Sequence, residues 1–579
     1  MILQYALGVT LQVLGTLGLG WFFQKICFSK FREPVYFSIA VGLAYIFEST
    51  LLGIFSLAGF LWILPLQAYA LLKAAVGLYV LGRYAEKIRN HLLKCWPLGF
   101  IFGLFLLNAC VPTSNFDCFS AHLPIPKLFL AAQGYPLRPD FQYLALPLGA
   151  HMWSLPSMSL GLEGGCNAVA PLFSFFLIFT IFQFFGSKCA VWSLLVCLSM
   201  PEFIRVSLDP MVDTPCFYYA CAGYLCLRSR RIELHWIGLW FWCFLFAIKP
   251  TLAPFALIAV LWYLSRDFCD RSQHFRIKTA GILILAAGIG LFWCIKNGLV
   301  HQNIFYPYLG SSTIQPLIPT EWHPAINQDW GERILKYFRV IFLDHRYNLS
   351  LGFWPLFSLP FVWRCKNGAQ RWILFLLVLG LMFTLLLTPF KNRYAMPYFF
   401  VALPAMALLA QYSSLGIKIL LGLSVSFNLA YALPYVGQPL YAAYKNWDKH
   451  DYYRFKFPNY SAYEKANRSP EGKILLIGQA SHWLDRPHVL AVISETHLDF
   501  TRMDSIENFK HFLTNQNISF IVFDRQDVLG MAKSSDPWYR GKSWCAQRAL
   551  YWVDQLLEKS AAKEIFMETG VQMIDVREL

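Results

Sequence analysis

Long apolar runs separated by short polar segments fill the first three quarters of this chain. They lie near 1–23, 35–58, 60–82, 97–111, 168–186, 189–204, 213–227, 235–249, 250–265, 279–295, 349–363, 372–390, 394–411 and 418–436. An untilted membrane span takes about 20 apolar residues, a length several of these runs fall short of. The pattern predicts a mainly α, polytopic membrane protein of about 13–14 transmembrane helices.

Two short stretches between the runs read differently. Pro124 and Pro126 suit the first turn of a helix, Ile125, Leu128, Phe129 and Ala132 share one face, and Gly134 is placed to end it. Such an amphipathic helix lies along the bilayer surface. The run 147–160 contains Pro156 and is too short for a span, so it reads as a second surface helix.

From about Tyr441 the periodicity changes. Short apolar strands at 473–478, 488–494, 518–524 and 571–576, with helices near 505–515 and 544–564, predict a soluble α/β domain. The expected organisation is N-terminal membrane helices over 1–111, then a catalytic membrane domain over 112–436 with external loops 112–167 and 297–348. A soluble domain over 437–579 completes it.

Composition narrows the class. With 57% hydrophobic and 14% charged residues among 579, the chain exceeds what a globular core can bury. The formal charge of +15 would fit nucleic acid, but the basic residues form clusters between apolar runs, which marks membrane orientation and excludes nucleic acid as the partner. When the runs are threaded alternately, Lys25 to Arg32, Arg83 to Lys94, Lys188, Arg228 to Arg231, Arg266 to Lys278, Arg364 to Arg371 and Lys418 fall on one side, the cytoplasmic one. The other side receives Asn115 to Lys127, Asp209, Asp213, Lys249, the loop 297–348, Arg393 and the soluble tail. Most of the fifteen cysteines sit inside apolar runs as packing residues, and none forms a Cys-x-x-Cys pair.

The densest candidate chemistry is Asn115 to Lys127, where Asp117, His122 and Lys127 follow directly on an apolar run. A polar cluster beside a span is often only a solvated loop, but the predicted helix over 124–132 would fix how Asp117 and His122 are presented. Lys249 and Arg393 stand at helix ends on the same side. They are a phosphate clamp or cations that merely snorkel, and His122 and His151 are substrate or metal contacts or structural histidines.

The stretch Asp117-Cys-Phe-Ser-Ala-His122-Leu-Pro-Ile-Pro-Lys127, then Gly134-Tyr-Pro and Leu146-Pro-Leu-Gly-Ala-His151, resembles the first external loop of bacterial GT-C glycosyltransferases, which include the aminoarabinose transferase of lipid A and relatives of protein O-mannosyltransferases. Ser207-Leu-Asp-Pro-Met-Val-Asp213, Lys249-Pro-Thr, Asn303-Ile-Phe-Tyr306-Pro, Arg393-Tyr394 and the stretch 473–487 follow in the family's order. The resemblance implies an enzyme of the bacterial inner membrane that moves a sugar from a polyprenyl-phosphate donor to a lipid, glycan or protein acceptor on the extracytoplasmic face. By the same resemblance Asp117 is catalytic, with Asp213 or Asp209 as the second acid. Asn115, His122, Lys127, His151, Lys249, Asn303, Tyr306, Arg393 and Tyr394 would bind substrate. The chain carries one carboxylate where many relatives have an acidic pair, and no Asp-x-Asp, so use of a divalent metal is left open. The rival classes are a transporter or lipid flippase, with charges near the bilayer midplane and repeated halves, and a non-catalytic envelope assembly protein.

Overall fold

A computed structural model describes residues 1–27, 37–94, 96–113, 115, 117–138, 141–229, 231–263, 273–304, 392–457, 459–469, 471–478, 481–491, 503–533, 540–559 and 562–579. The runs at 349–363 and 372–390, and Tyr306, lie outside the described residues. Among those described, six helices are long and apolar enough to cross a membrane: Ile2–Ile26, Phe37–Leu57, Ile63–Glu86, Gly164–Phe185, Ala280–His301 and Leu415–Tyr444. A seventh span is broken, Ser187–Leu198 and Pro201–Leu208 meeting at 92°.

That break follows from Pro201, whose ring starts a new helix and leaves carbonyls of the preceding turn without helical partners. At membrane depth such groups need another donor. Asn428 supplies one to the Leu198 carbonyl (3.1 Å) and Ser424 one to the Ser199 carbonyl (3.4 Å), both from the helix Leu415–Tyr444. That helix runs on through Pro434 and Pro439 to Tyr444, past the expected end of the apolar run at 436.

The first and third helices cross in close contact. A Cβ on Gly77 would fall on the Leu14 carbonyl, and one on Gly15 would press on the Lys73 stem (2.9 Å). That stem delivers its ammonium to Glu48 at 2.8 Å, an ion pair buried between the second and third helices. Gly77→Ala is expected to force the helices apart and to lower stability by about 1–3 kcal/mol, the usual cost of overpacking; a thermal melt in detergent reads it, and an unchanged midpoint would refute the close packing.

Hydrogen bonds show which helix ends share a side. Gln4 donates to the Gly161 carbonyl (3.0 Å), Gln67 to that of Ser159 (2.7 Å), and the Tyr135 amide to that of Ser56 (2.8 Å). The 109–167 loop therefore covers the start of the first and third helices and the end of the second. Lys25, Arg83, Lys188, Arg228 and Lys418 lie toward the opposite helix ends, as the threading requires.

Inside the loop, Pro124–Ala132 is helical with Pro124 in its first turn. Its left-handed terminal residue is Gln133 (φ 48°), whereas Gly134 closes the turn by donating to the Phe129 carbonyl. The 147–160 stretch forms two short helices, His151–Ser154 and Leu155–Ser159, which are largely buried and do not lie on a surface.

The C-terminal part is a five-stranded sheet. In chain order β1 is Lys473–Ile477, β2 His488–Leu490, β3 Ile518–Asp524, β4 Lys563–Glu568 and β5 Val571–Asp575; their spatial order is β2-β1-β3-β5-β4. The first three are parallel and the last two antiparallel. Side chains alternate between two layers. Leu475, Ile477, Ile521 and Phe523 pack under the helices Ile506–Asn515 and Arg540–Glu558, while Ile474, Leu476, Phe520 and Val522 join the core that continues into the membrane part. β4 begins at Lys563 and Glu564, the last residues of the helix expected over 544–564, and runs on to Glu568. It is an exposed edge, joined to β5 through Thr569 and Gly570, both with positive φ, as a tight hairpin turn requires.

Candidate functional site

The segment that carries Asp117 is a single π-turn, Cys118–His122, closed by the Leu123 amide donating to the Cys118 carbonyl (2.9 Å). Such i→i+5 turns are rare and concentrate where a side chain must be re-aimed. Asp117 precedes the turn, half-buried, and its amide donates to Asn115 Oδ1 (2.9 Å). Asn115 in turn donates through Nδ2 to Asp209 Oδ2 (2.8 Å), and Thr113 Oγ1 donates to Asp209 Oδ1 (2.8 Å). Both ends of the Asn115 amide are thus used within the protein. Asp209 ties the loop down at the start of a tight link, Met211 N to Asp209 O (2.7 Å), that leads into the Asp213 helix. Burial pushes the Asp209 carboxyl above its ordinary value against the pull of Asn115 and Thr113, and Asp117 adds to the rise.

Asp213 has a different partner. It opens the helix Asp213–Arg228, where a carboxylate is favoured by the helix dipole. Its Oδ1 accepts from Lys249 Nζ at 2.5 Å, with the Asp213 side chain 2% and the Lys249 side chain 12% exposed. Lys249 stands just after the helix Ile232–Ile248, extended because Pro250 follows.

His122 and His151 meet as a stacked pair, ring centroids 5.1 Å apart and Nδ1 of His122 2.9 Å from Nε2 of His151. Burial, and then the neighbouring His122, push the His151 imidazole well below its ordinary value, so it is neutral at physiological pH. Gly149 brings this layer against the Lys249 helix end: its amide donates to the Ala247 carbonyl (3.0 Å), and a Cβ there would lie 2.8 Å from the same oxygen. Asn303 is half-buried beyond the end of the helix Gln273–His301, on the same side. Arg393 and Tyr394 are in the first turn of the helix Asn392–Val401, whose Tyr398 hydroxyl reaches the Thr251 carbonyl (3.4 Å). Their side chains lie outside the described residues.

Lys127 turns instead to the soluble domain, pairing with Asp485 at 2.9 Å. Both are exposed, so the pair contributes little. The firmer junction was missed in the sequence. Glu163 accepts from Lys449 (2.8 and 2.9 Å) and from the Tyr5 hydroxyl (2.6 Å), joining the first helix, the loop and the start of the soluble part. Beside it the 481–483 turn packs His482 and Trp483 on Phe119, two residues from Asp117. The soluble domain thereby buttresses the π-turn.

Burial alone would raise the Glu163 carboxyl. The neighbouring His482, then Lys449 and the Tyr5 hydroxyl outweigh it, holding the group at about 2 from an ordinary 4.5. Burial holds His482 down at about 3, so its imidazole brings no charge at neutral pH. A depressed carboxyl stabilises the junction above its unfolded value and loses that contribution as pH falls through its folded one. Docking of the soluble domain is therefore expected to weaken as pH falls below about 6.5, where opening lets His482 take up a proton, and further from about 4.5 toward about 2 as Glu163 is protonated. Limited proteolysis at stepped pH checks this, and Glu163→Gln is expected to be cleaved readily at every pH. Equal resistance in the variant would refute the role of Glu163.

Among the described residues no group of three or more His, Cys, Asp or Glu side chains is placed to hold a metal ion. Asp213 is drawn to Lys249, and His122 to His151.

No family profile matches the chain and no curated protein matches it in sequence. Its structure is similar to the crystal structure of ArnT from Cupriavidus metallidurans bound to undecaprenyl phosphate, with a TM-score of 0.51 and 11% sequence identity over 83% of this chain and 97% of that one. Membrane helices, a loop layer on one side and a C-terminal domain above it together give this chain the fold of that polytopic membrane protein.

Proposed function

We propose that this protein is a membrane glycosyltransferase that takes a sugar from a polyprenyl-phosphate donor and passes it to a lipid, glycan or protein acceptor on the extracytoplasmic face. The observation that carries the reading is the gathering of Asp117, Asp209, Asp213 and Lys249, far apart in sequence, at one end of a helix bundle of GT-C fold. The basic clusters at the opposite helix ends support placing this end outside. The protein of similar structure was crystallised with undecaprenyl phosphate, which supports a donor of that chemistry.

The roles follow from the surroundings of each group. The acceptor hydroxyl forms a bond to the anomeric carbon while the carbon–phosphate oxygen bond breaks and the phosphate leaves with the electron pair. A base must take the hydroxyl proton, and cations must meet the charge growing on the leaving group. Asp117 is the base, aimed by the π-turn. Asp209 and Asn115 are positioning residues that hold Asp117 through the loop. Asp213 orients Lys249 toward the phosphate, and Arg393 is the second cation of the clamp. The domains are assigned as a membrane part that binds donor and a soluble part that braces the loop.

Mass spectrometry of lipid co-purified with the protein tests the donor class, and release of radiolabel from a polyprenyl-phosphate sugar tests turnover. A polyprenyl phosphate in the extract and release dependent on added acceptor are expected. Absence of both would overturn the reading.

A further inference from the structure

Lys127, Lys249 and Lys449 each have a carboxylate partner at the loop end of the bundle. Lys296 does not. It sits near the loop end of the helix Gln273–His301, is fully buried, and among the described residues makes no ion pair. Its Nζ donates to the Leu144 carbonyl (2.6 Å) and, over a long 3.4 Å, to the Tyr135 hydroxyl. The rings of Tyr135 and Trp293 flank it at 5.3 and 5.7 Å. An ammonium has three N–H donors, and two acceptors are present among the described residues. A cation taken out of water without a counter-charge is costly, and in a membrane protein such a group marks a functional position by default.

The same helix presents Leu291, Ile295 and Leu299 outward, spaced four apart on one face and each about half exposed or more. An apolar stripe thus runs along the bilayer to the level of the unpaired ammonium. A molecule with an anionic head and a long hydrocarbon tail matches both features, the tail along the stripe and the head against Nζ.

We propose that Lys296 is a binding residue for the phosphate of the lipid-linked donor, which enters along the Leu291-Ile295-Leu299 face and displaces the weak Tyr135 hydrogen bond. The inference rests on the donor class proposed above and adds a residue and an entry route to it. Tyr135 and Leu144 belong to the loop that carries Asp117, so arrival of the phosphate would be felt by that loop. Asn297, donating to the Ala145 carbonyl (2.8 Å), keeps loop and helix in register meanwhile.

The test compares a polyprenyl phosphate with the matching uncharged polyprenol, each titrated into the full-length protein in phosphatidylcholine nanodiscs and read by native mass spectrometry. Wild type is expected to prefer the phosphate by about ten- to a hundredfold, the size of a charge-assisted hydrogen bond. Lys296→Met should lose most of that preference, the rest being held by Lys249 and Arg393, while still binding polyprenol, and Lys296→Arg should keep it. Retained preference in Lys296→Met would overturn the proposal, as would parallel loss of both ligands, which a purely structural lysine predicts. A wild type indifferent to the phosphate would instead overturn the donor reading itself.

Discussion

Replacing Asp117 with Asn is expected to reduce sugar transfer by about a hundred- to ten-thousandfold, the range set by removal of a positioned general base. The substitution is nearly isosteric, and the contact that aims the residue, its backbone amide on Asn115 Oδ1, uses no side-chain atom of Asp117. The π-turn should therefore survive, with donor lipid still bound and the thermal midpoint unchanged. What disappears is the carboxylate that accepts the acceptor's proton. Turnover of a radiolabelled polyprenyl-phosphate sugar reads the effect, and near-native turnover would remove Asp117 from the chemistry. Asp209→Asn provides a contrast. Asp209 accepts from Thr113 and Asn115, and an amide nitrogen in its place would face a donor, so the loop loosens. That variant should slow turnover and lower the thermal midpoint together, which Asp117→Asn should not.

The difference between these two acids was not legible in the sequence, although the end of the helix bundle at which they meet was. That shared end is readable because charges are scarce in the membrane part and each basic cluster must fall at a helix end. The helix at 124–132 is readable because two prolines and a one-face repeat specify its start, but its last residue is set by which of Gln133 and Gly134 turns left-handed, a choice of backbone packing. The buried strands β1 and β3 announce themselves as apolar runs. β4 does not, because an exposed edge bearing Lys563, Glu564 and Glu568 has no apolar pattern to detect.

Long-range pairing hides most completely. Glu163 and Lys449 are separated by 286 residues, and nothing local to either predicts the other. The only sign at Glu163 is the pair of glycines after it, and Gly164 and Gly165 let the first helix come close enough for Tyr5 to reach the carboxylate. Lys296 was passed over for a related reason: a lysine near the end of an apolar helix reads as a snorkelling residue until coordinates show it turned inward.

Removal of one member of the Asp213–Lys249 pair is expected to be the most destabilising single change in the membrane part. With the Asp213 side chain 2% exposed, loss of Lys249 would strand a carboxylate against Cys216 and the first turn of its helix, at a cost of about 3–5 kcal/mol. Loss of Asp213 should cost less, because Lys249 is the more exposed partner and a flexible four-carbon stem can carry its charge outward. The order Lys249→Met worse than Asp213→Asn therefore follows from burial alone, and thermal melts of the two variants measure it. The double variant Asp213→Leu with Lys249→Met separates stability from function. Replacing a buried ion pair by apolar side chains of similar volume is often neutral, so its midpoint should return toward that of the wild type. Its transfer activity should not return, because the restored packing supplies no cation for the leaving phosphate. Recovery of both would make the pair a structural feature and leave the phosphate clamp to other residues. Recovery of stability alone would show that the cost of burying these charges is retained for the chemistry they serve.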